Sequence, residues 1–339
     1  MKNKKFIFTI IDDTDDSTLE NTKPIYDYLY KKGVFITKTV WVYPPRDEHS
    51  LGDSLQRKEY LEFIKEIKNR GFEIGLHNVG SGDYSKDEIL KGLEEYKKLL
   101  GDYPNIHINH SYNPDSIYGG SKRFNWPFNW IVDKLYPQYS GGFKGEERGS
   151  KYFWGEKHKE IIQFSRNHEV KDLNTTKFDK LMPYIDPKRS EFSNYWFSAT
   201  FAPNQLVFNH LISEKSIEKL ENENGTCILY THLGYYMKDG KIDQGFIDRI
   251  DMLSKNENSQ FLTVSEVLNN IKDKRIFEGK KPYPTISWYR KFLMEFKHLY
   301  TRIYFRKFVK IDDYAFKDLN AEMFTNKTNR NNKTNRNAS

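Results

Sequence analysis

The stretch Phe6-Ile7-Phe8-Thr9-Ile10-Ile11-Asp12-Asp13 decides how this chain folds. Six strand-favouring residues without a break read as a strand buried on both faces. The two carboxylates that end it cannot sit unpaired in such a core, because burying an ionised carboxylate is costly. They are therefore expected at the mouth of a sheet or barrel, where α/β enzymes place their chemistry. Neighbouring residues of a strand point to opposite sides, so the two aspartates should do different jobs.

Outward from that strand, apolar runs and helical periodicity alternate. Helical spacing covers 19–32, closed by Gly33, and 54–70, closed by Gly71. Strands are expected at 34–42, 72–77 and 106–111. Ser85-Lys86-Asp87-Glu88 has capping-box spacing and opens a helix to Leu100. The region 112–225 is rich in Gly, Asn, Pro and aromatic residues and gives only a strand near 161–164 and a helix near 213–223. A strand at 227–233, a helix at 243–254, a strand at 260–264 and a further helix from Ser265 complete the series. Repeated βα units imply parallel strands with right-handed crossovers. The expected fold is α/β: a distorted (β/α) barrel of seven or eight mostly parallel strands over 1–272, plus a C-terminal helical appendage.

That appendage, 273–319, is expected to be basic and helical, and 320–339, which ends in an Asn/Lys/Thr repeat from Asn326, to be disordered. Residues 274–339 hold 16 Lys/Arg against 6 Asp/Glu, a net of +10, so the preceding 273 residues carry −3 of the chain's +7. The charge thus gives no sign of a nucleic-acid stripe in the barrel. Over 287–310, Phe292, Phe296, Leu299 and Ile303 fall on one helical face, and Arg290, Lys297, Arg302 and Arg306 on another. The apolar face is read as a cover on the barrel; the basic one leaves peripheral contact with an anionic membrane as the alternative. The single cysteine, Cys227, excludes an intrachain disulfide. No apolar run reaches the ~18 residues of a membrane span, and the six-residue run before Asp12 is short for a secretory signal. The expectation is a cytoplasmic protein, with membrane association open.

Four apolar runs end in side chains able to do chemistry: Asp12-Asp13, His77-Asn78, Asn109-His110-Ser111 and Thr231-His232. One aspartate with two histidines suits Zn²⁺ and leaves a position for water. The remaining carboxylate and histidine would then serve as base and acid. His107, His49, His158, His210 and His298 are read as scaffold.

These endings resemble, in order and separation, the motifs of the polysaccharide deacetylase (NodB-homology) superfamily. Thr9-Ile10-Ile11-Asp12-Asp13-Thr14 resembles its first motif. Glu73-Ile74-Gly75-Leu76-His77-Asn78-Val79-Gly80-Ser81 resembles its second, and Ile228-Leu229-Tyr230-Thr231-His232 its last. The resemblance covers roughly residues 5–272. It implies metal-dependent hydrolysis of an N-acetyl group on a saccharide, with Asp12 as general base, Asp13 and His77 as metal ligands and His232 as general acid. Two departures stand out. Ser81 occupies the position of the usual third ligand, so either His110 completes the shell or Ser81 and water do. Asn109-His110-Ser111-Tyr112-Asn113-Pro114 stands where the family supplies an arginine that orients the base. Asn78, Asn109, Trp154, Arg166 and Tyr230 are candidates for substrate contact, with His168 near them. A nucleotide- or lipid-linked saccharide fits a cytoplasmic enzyme. Two other readings stay open: a non-catalytic carbohydrate-binding protein on this scaffold, and a haloacid dehalogenase-type phosphatase using Asp13 and Asp15 as D-x-D.

Overall fold

A computed structural model describes residues 5–47, 50–111, 113–135 and 142–308, with side chains to 305. In chain order the elements are β1 (Phe6–Asp12), α1 (Leu19–Lys31), β2 (Thr37–Val40), α2 (Lys58–Asn69), β3 (Glu73–Leu76), α3 (Lys86–Leu100) and β4 (Ile106–His107). Then come α4 (Phe128–Leu135), α5 (Gly155–Ile161), β5 (Phe164–Val170), α6 (Thr175–Phe178), β6 (Tyr195–Phe201), α7 (Gln205–Leu211), α8 (Glu214–Asn222) and β7 (Thr226–Thr231). A short hairpin, β8 (Met237–Lys238) and β9 (Lys241–Ile242), precedes α9 (Gln244–Lys255), β10 (Ser259–Phe261), α10 (Val264–Phe277) and α11 (Trp288–Phe308).

Strands β1 to β7 form a closed parallel barrel in sequence order, because β1 pairs with both β2 and β7. The β1–β7 register runs from Ile7 opposite Thr226 to Asp12 opposite Thr231, which brings the aspartate end of β1 level with the end of β7. β10 adds to the other edge of β1, at Phe6 to Phe8. The core is built around β1: Phe6, Phe8, Ile10 and Ile11 are all buried, as are Ile228 and Leu229 of β7, so both faces of these strands are covered. The expected distorted barrel with parallel strands is therefore what the chain adopts.

Local chemistry accounts for the boundaries. Ser85 and Glu88 close the capping box expected at the start of α3, with the Ser85 amide donating to Glu88 at 2.9 Å. Strand β4 is shorter than the expected 106–111. The Asn109 side chain pins the following loop, donating to the Ile117 carbonyl at 2.7 Å and accepting from the Ile117 amide at 2.9 Å. β6, which the aromatic-rich middle hides in the sequence, is the longest partner of β5.

The chain forms two compact units, Met1–Thr301 and Arg302–Ser339, and the barrel lies in the first. Of the second, the described residues continue α11. Residues 309–339, and with them the expected disordered tail 320–339, lie outside the described residues, as does His49. Within the first unit the apolar face expected on α11 divides: Phe292 and Leu299 pack against Phe124, Phe128 and Val132, while Phe296 is exposed. Lys291, Glu295, His298 and Thr301 are the buried positions, with Met294. Among the described residues no helix is long and apolar enough to cross a membrane.

Candidate active site

The chain leaves β1 through Asp12, Asp13, Thr14, Asp15 and Asp16, and each aspartate meets a different environment. Asp12 is fully enclosed. Its carboxylate accepts from the Tyr26 hydroxyl at 2.9 Å and the Leu233 amide at 2.8 Å, and lies 3.0 Å from the Lys38 ammonium. Burial alone would lower the Lys38 pKa, but the Asp12 charge more than offsets it and leaves it raised. Burial raises the Asp12 pKa against the opposing pull of these donors, and with no exposed oxygen Asp12 ties β1 to Lys38 of β2, Tyr26 of α1 and the backbone just after β7.

Asp13 points to β5. Arg166 grips it in a two-pronged pair, Nη1 to Oδ1 at 3.0 Å and Nη2 to Oδ2 at 2.6 Å. The guanidinium also lies over the Tyr230 ring, 4.1 Å from its centroid, and its Nε faces Glu169 at 3.3 Å. A β-bulge between Arg166 and Glu169 lets both side chains of this strand turn to the same network. Glu169 is held in turn by Arg123 at 3.2 Å and by His298 of α11 at 3.3 Å.

Asp15 gathers the histidines. Its Oδ1 lies 2.9 Å from His110 Nε2, and its Oδ2 lies 3.0 Å from His232 Nε2 and 3.6 Å from His77 Nε2. Two devices hold Asp15 there. Asp16 adopts a left-handed backbone (φ 56°), which aspartate tolerates. Gly234 also lets the turn approach: a Cβ at that position would sit 2.6 Å from the Asp16 carbonyl. Burial opposes the Asp15 charge, but His110 and His77 outweigh it and hold the carboxyl well below the usual carboxylate range.

The histidines are oriented by their second nitrogens. His110 Nδ1 lies 3.1 Å from Asn113 Oδ1, an oxygen already identified as acceptor by the Gly82 amide at 2.9 Å, so Nε2 faces Asp15 free to ligate. His232 Nδ1 donates to the Pro203 carbonyl at 2.8 Å. Burial would lower the His232 pKa; its hydrogen bond and charge contact with Asp15 instead raise it to about 9, with a further push from Asp13. His77 is buried between Trp41, stacked at 6.4 Å, and His110, yet both its ring nitrogens lack a hydrogen-bond partner. Buried imidazole nitrogens with nothing to bind are costly unless a ligand takes them.

Asp15, His77 and His110 could hold a metal ion: their ligand atoms all lie within 4.8 Å of one another. One carboxylate and two imidazoles suit Zn²⁺ and leave a coordination position open. Among the expected ligands, His77 and His110 are in this set. Asp13 is not: its carboxylate is paired with Arg166, and the carboxylate in the set is that of Asp15. Ser81 is directed elsewhere, to Asp47 and to Ser50 Oγ at 2.8 Å.

The residues expected to touch substrate divide. Arg166 pairs with Asp13 at the barrel mouth, and Tyr230 lies under its guanidinium and beside His232. Asn78, in a left-handed conformation (φ 53°), instead braces the site: it accepts from the His110 amide at 2.7 Å and donates to Asp115 at 2.8 Å. Asn109 ties down its own loop. Trp154 is buried, donating to the Asp115 carbonyl at 2.6 Å and packing on His107 and His158. His168 is buried against Phe124 and His298. Asp15, read from the sequence only as the second half of a D-x-D pair with Asp13, was not among the expected metal ligands. A signal existed: Lys38 inside an apolar strand demands a buried anion, and the nearest is Asp12.

No family model and no curated protein matches the sequence. The structure is similar to the peptidoglycan deacetylase PdaC from Bacillus subtilis, at 14% identity over 82% of this chain and 96% of that one, with a TM-score of 0.40. It is also similar to the polysaccharide deacetylase Bc1974 from Bacillus cereus (11% identity, 76% and 91% covered, TM-score 0.34). PuuE allantoinase is a further likeness (11% identity, 84% and 94% covered, TM-score 0.47). In the order of its motifs and in its solved structural neighbours, this chain is similar to the polysaccharide deacetylases.

Proposed function

We propose that this protein hydrolyses an N-acetyl group on a saccharide, with Asp13 rather than Asp12 as general base and Asp15 rather than Asp13 as metal ligand. The observation that carries the reading is the division among the carboxylates. Asp12 is sealed by Lys38, Asp13 is gripped by Arg166 at 2.6 and 3.0 Å, and Asp15 faces three histidines. Arg166 supplies from β5 the base-orienting arginine that the family motif lacks in this chain, which weakens the case for a non-catalytic scaffold. A D-x-D phosphatase built on Asp13 and Asp15 leaves His77, His110 and His232 without a task.

Asp15, His77 and His110 would hold a divalent ion, most simply Zn²⁺, which when bound polarises the acetyl carbonyl and acidifies a water. Arg166 fixes both Asp13 oxygens, so the carboxylate is oriented before substrate arrives. Asp13 takes a proton from the attacking water as the new C–O bond forms. His232, with Nδ1 held by the Pro203 carbonyl, presents Nε2 as the proton donor. It gives its Nε2 proton to the amide nitrogen as the C–N bond breaks, releasing acetate and the free amine.

The test is acetate release from N-acetylglucosamine oligosaccharides by zinc-loaded protein, with nucleotide- and lipid-linked N-acetyl sugars assayed beside them. Parent activity that falls at least about 10²-fold in Asp13→Asn supports the reading. Glycan binding without acetate release from any of these would favour the binding-protein alternative.

A further inference from the structure

Helix α11 buries an unusually polar side for a helix that covers a barrel. Beside Met294, Lys291 pairs with Asp186, Glu295 accepts from the Asn125 amide at 3.0 Å, His298 faces Glu169 and Thr301 accepts from the Lys171 amide at 3.1 Å. On one flank Phe292 and Leu299 pack against Phe124, Phe128 and Val132. The apolar side chains Tyr289, Leu293, Phe296 and Tyr300, spaced four, three and four apart, form one stripe and are 40–64% exposed. On and just before α4, the helix whose Phe128 and Val132 pack against α11, Trp126 and Trp130 are 73% and 57% exposed, and Trp288 is 57% exposed. An exposed run of large apolar and aromatic side chains of this extent marks an interaction surface.

Charge selects the partner. Between Trp288 and Thr301 the exposed charged side chains of α11 are Arg290 and Lys297, both basic, while its one carboxylate, Glu295, is buried. A second copy laid on this stripe would bring like charges together with no exposed acid on the helix to pair them. An anionic lipid surface meets both demands: tryptophan and tyrosine rings favour the headgroup level, and each basic residue near it is attracted. We propose that the stripe Tyr289, Leu293, Phe296 and Tyr300, with Trp126 and Trp130 of the α4 segment, docks this protein on an anionic lipid surface. The face lies flat on the membrane; nothing in it spans one.

The experiment is sedimentation of the full chain with vesicles of phosphatidylcholine containing about 30% phosphatidylglycerol, and with pure phosphatidylcholine. The parent should bind the anionic vesicles at least about tenfold better than the neutral ones. Leu293→Ser with Phe296→Ser should cut that binding at least about tenfold. Arg290→Glu with Lys297→Glu, which keeps the apolar stripe, should abolish the preference for anionic lipid. All four replaced side chains are exposed, so thermal unfolding should not change. Failure of the parent to sediment with anionic vesicles overturns the proposal, as does binding indifferent to both double substitutions. Concentration-dependent self-association that disappears in Leu293→Ser/Phe296→Ser would assign the face to a second copy and overturn it too. Acetate release is read separately, so failure of docking and failure of the reaction remain distinguishable.

Discussion

Replacing Lys38 by methionine should destabilise the protein far more than a conservative loss of one charge on a surface. Lys38 and Asp12 are both 0% exposed and 3.0 Å apart, so water does not screen their interaction. Removing one partner of such a pair leaves the other charge buried and uncompensated, at a cost of roughly 3–5 kcal/mol. Lys38→Met also removes the bond to Ser17 Oγ at 3.0 Å. Against a domain stability of about 5–15 kcal/mol, the loss is a large fraction of the whole. Urea unfolding followed by tryptophan fluorescence measures it. Asp12→Asn should lose a comparable amount, and Lys38→Met with Asp12→Leu, which removes both charges, should recover at least about 2 kcal/mol of it. A Lys38→Met protein within about 1 kcal/mol of the parent would refute the reasoning. So would an Asp12→Asn protein of parental stability that had lost about 10³-fold in acetate release, since that is the signature of a general base.

Arg166→Lys keeps the charge but not the two-pronged grip, and should lower kcat roughly ten- to hundredfold with little change in KM, measured by steady-state acetate release. His298→Ala removes one of the groups steadying Glu169 behind Arg166; its kcat should fall severalfold while KM holds, and a change in KM alone would deny the link. In the metal-free protein His232 should titrate near pH 9 by NMR, and Asp15→Asn should bring it down towards its ordinary 6.5. Because that pKa is raised on folding, the stabilisation is complete below about pH 6.5 and is lost as pH rises through about 9. Metal-free parent should therefore lose stability over that window, and His232→Gln should lose less.

The barrel was legible because its signal is redundant. Uninterrupted apolar runs such as 6–11 and 227–230 read as strands covered on both faces, their alternation with helices points to a parallel sheet, and those helices carry their own caps, as at Ser85 and Glu88. The histidines were legible for the same reason: each follows an apolar run, and strand ends meet at one mouth. The division among the carboxylates was not. Which of Asp12, Asp13 and Asp15 turns inward depends on where β1 ends and on the tight turn that Asp16 and Gly234 permit, and one residue of slip exchanges the roles. Arg166 stood in the sequence as a bare candidate, because its partner is 153 residues away and only closure of the barrel joins them. The polar side that α11 buries was hidden as well. Periodicity reports that a helix has two faces, but not which one finds Asp186 and Glu169 waiting to pair with Lys291 and His298.

The central claim is that Asp13 and Asp15 have separate tasks, and metal content measured by plasma mass spectrometry on purified Asp13→Asn and Asp15→Asn proteins tests it most directly. The account predicts that Asp13→Asn keeps stoichiometric metal and releases no acetate, whereas Asp15→Asn loses the metal. Metal retained by Asp15→Asn and lost from Asp13→Asn would contradict it.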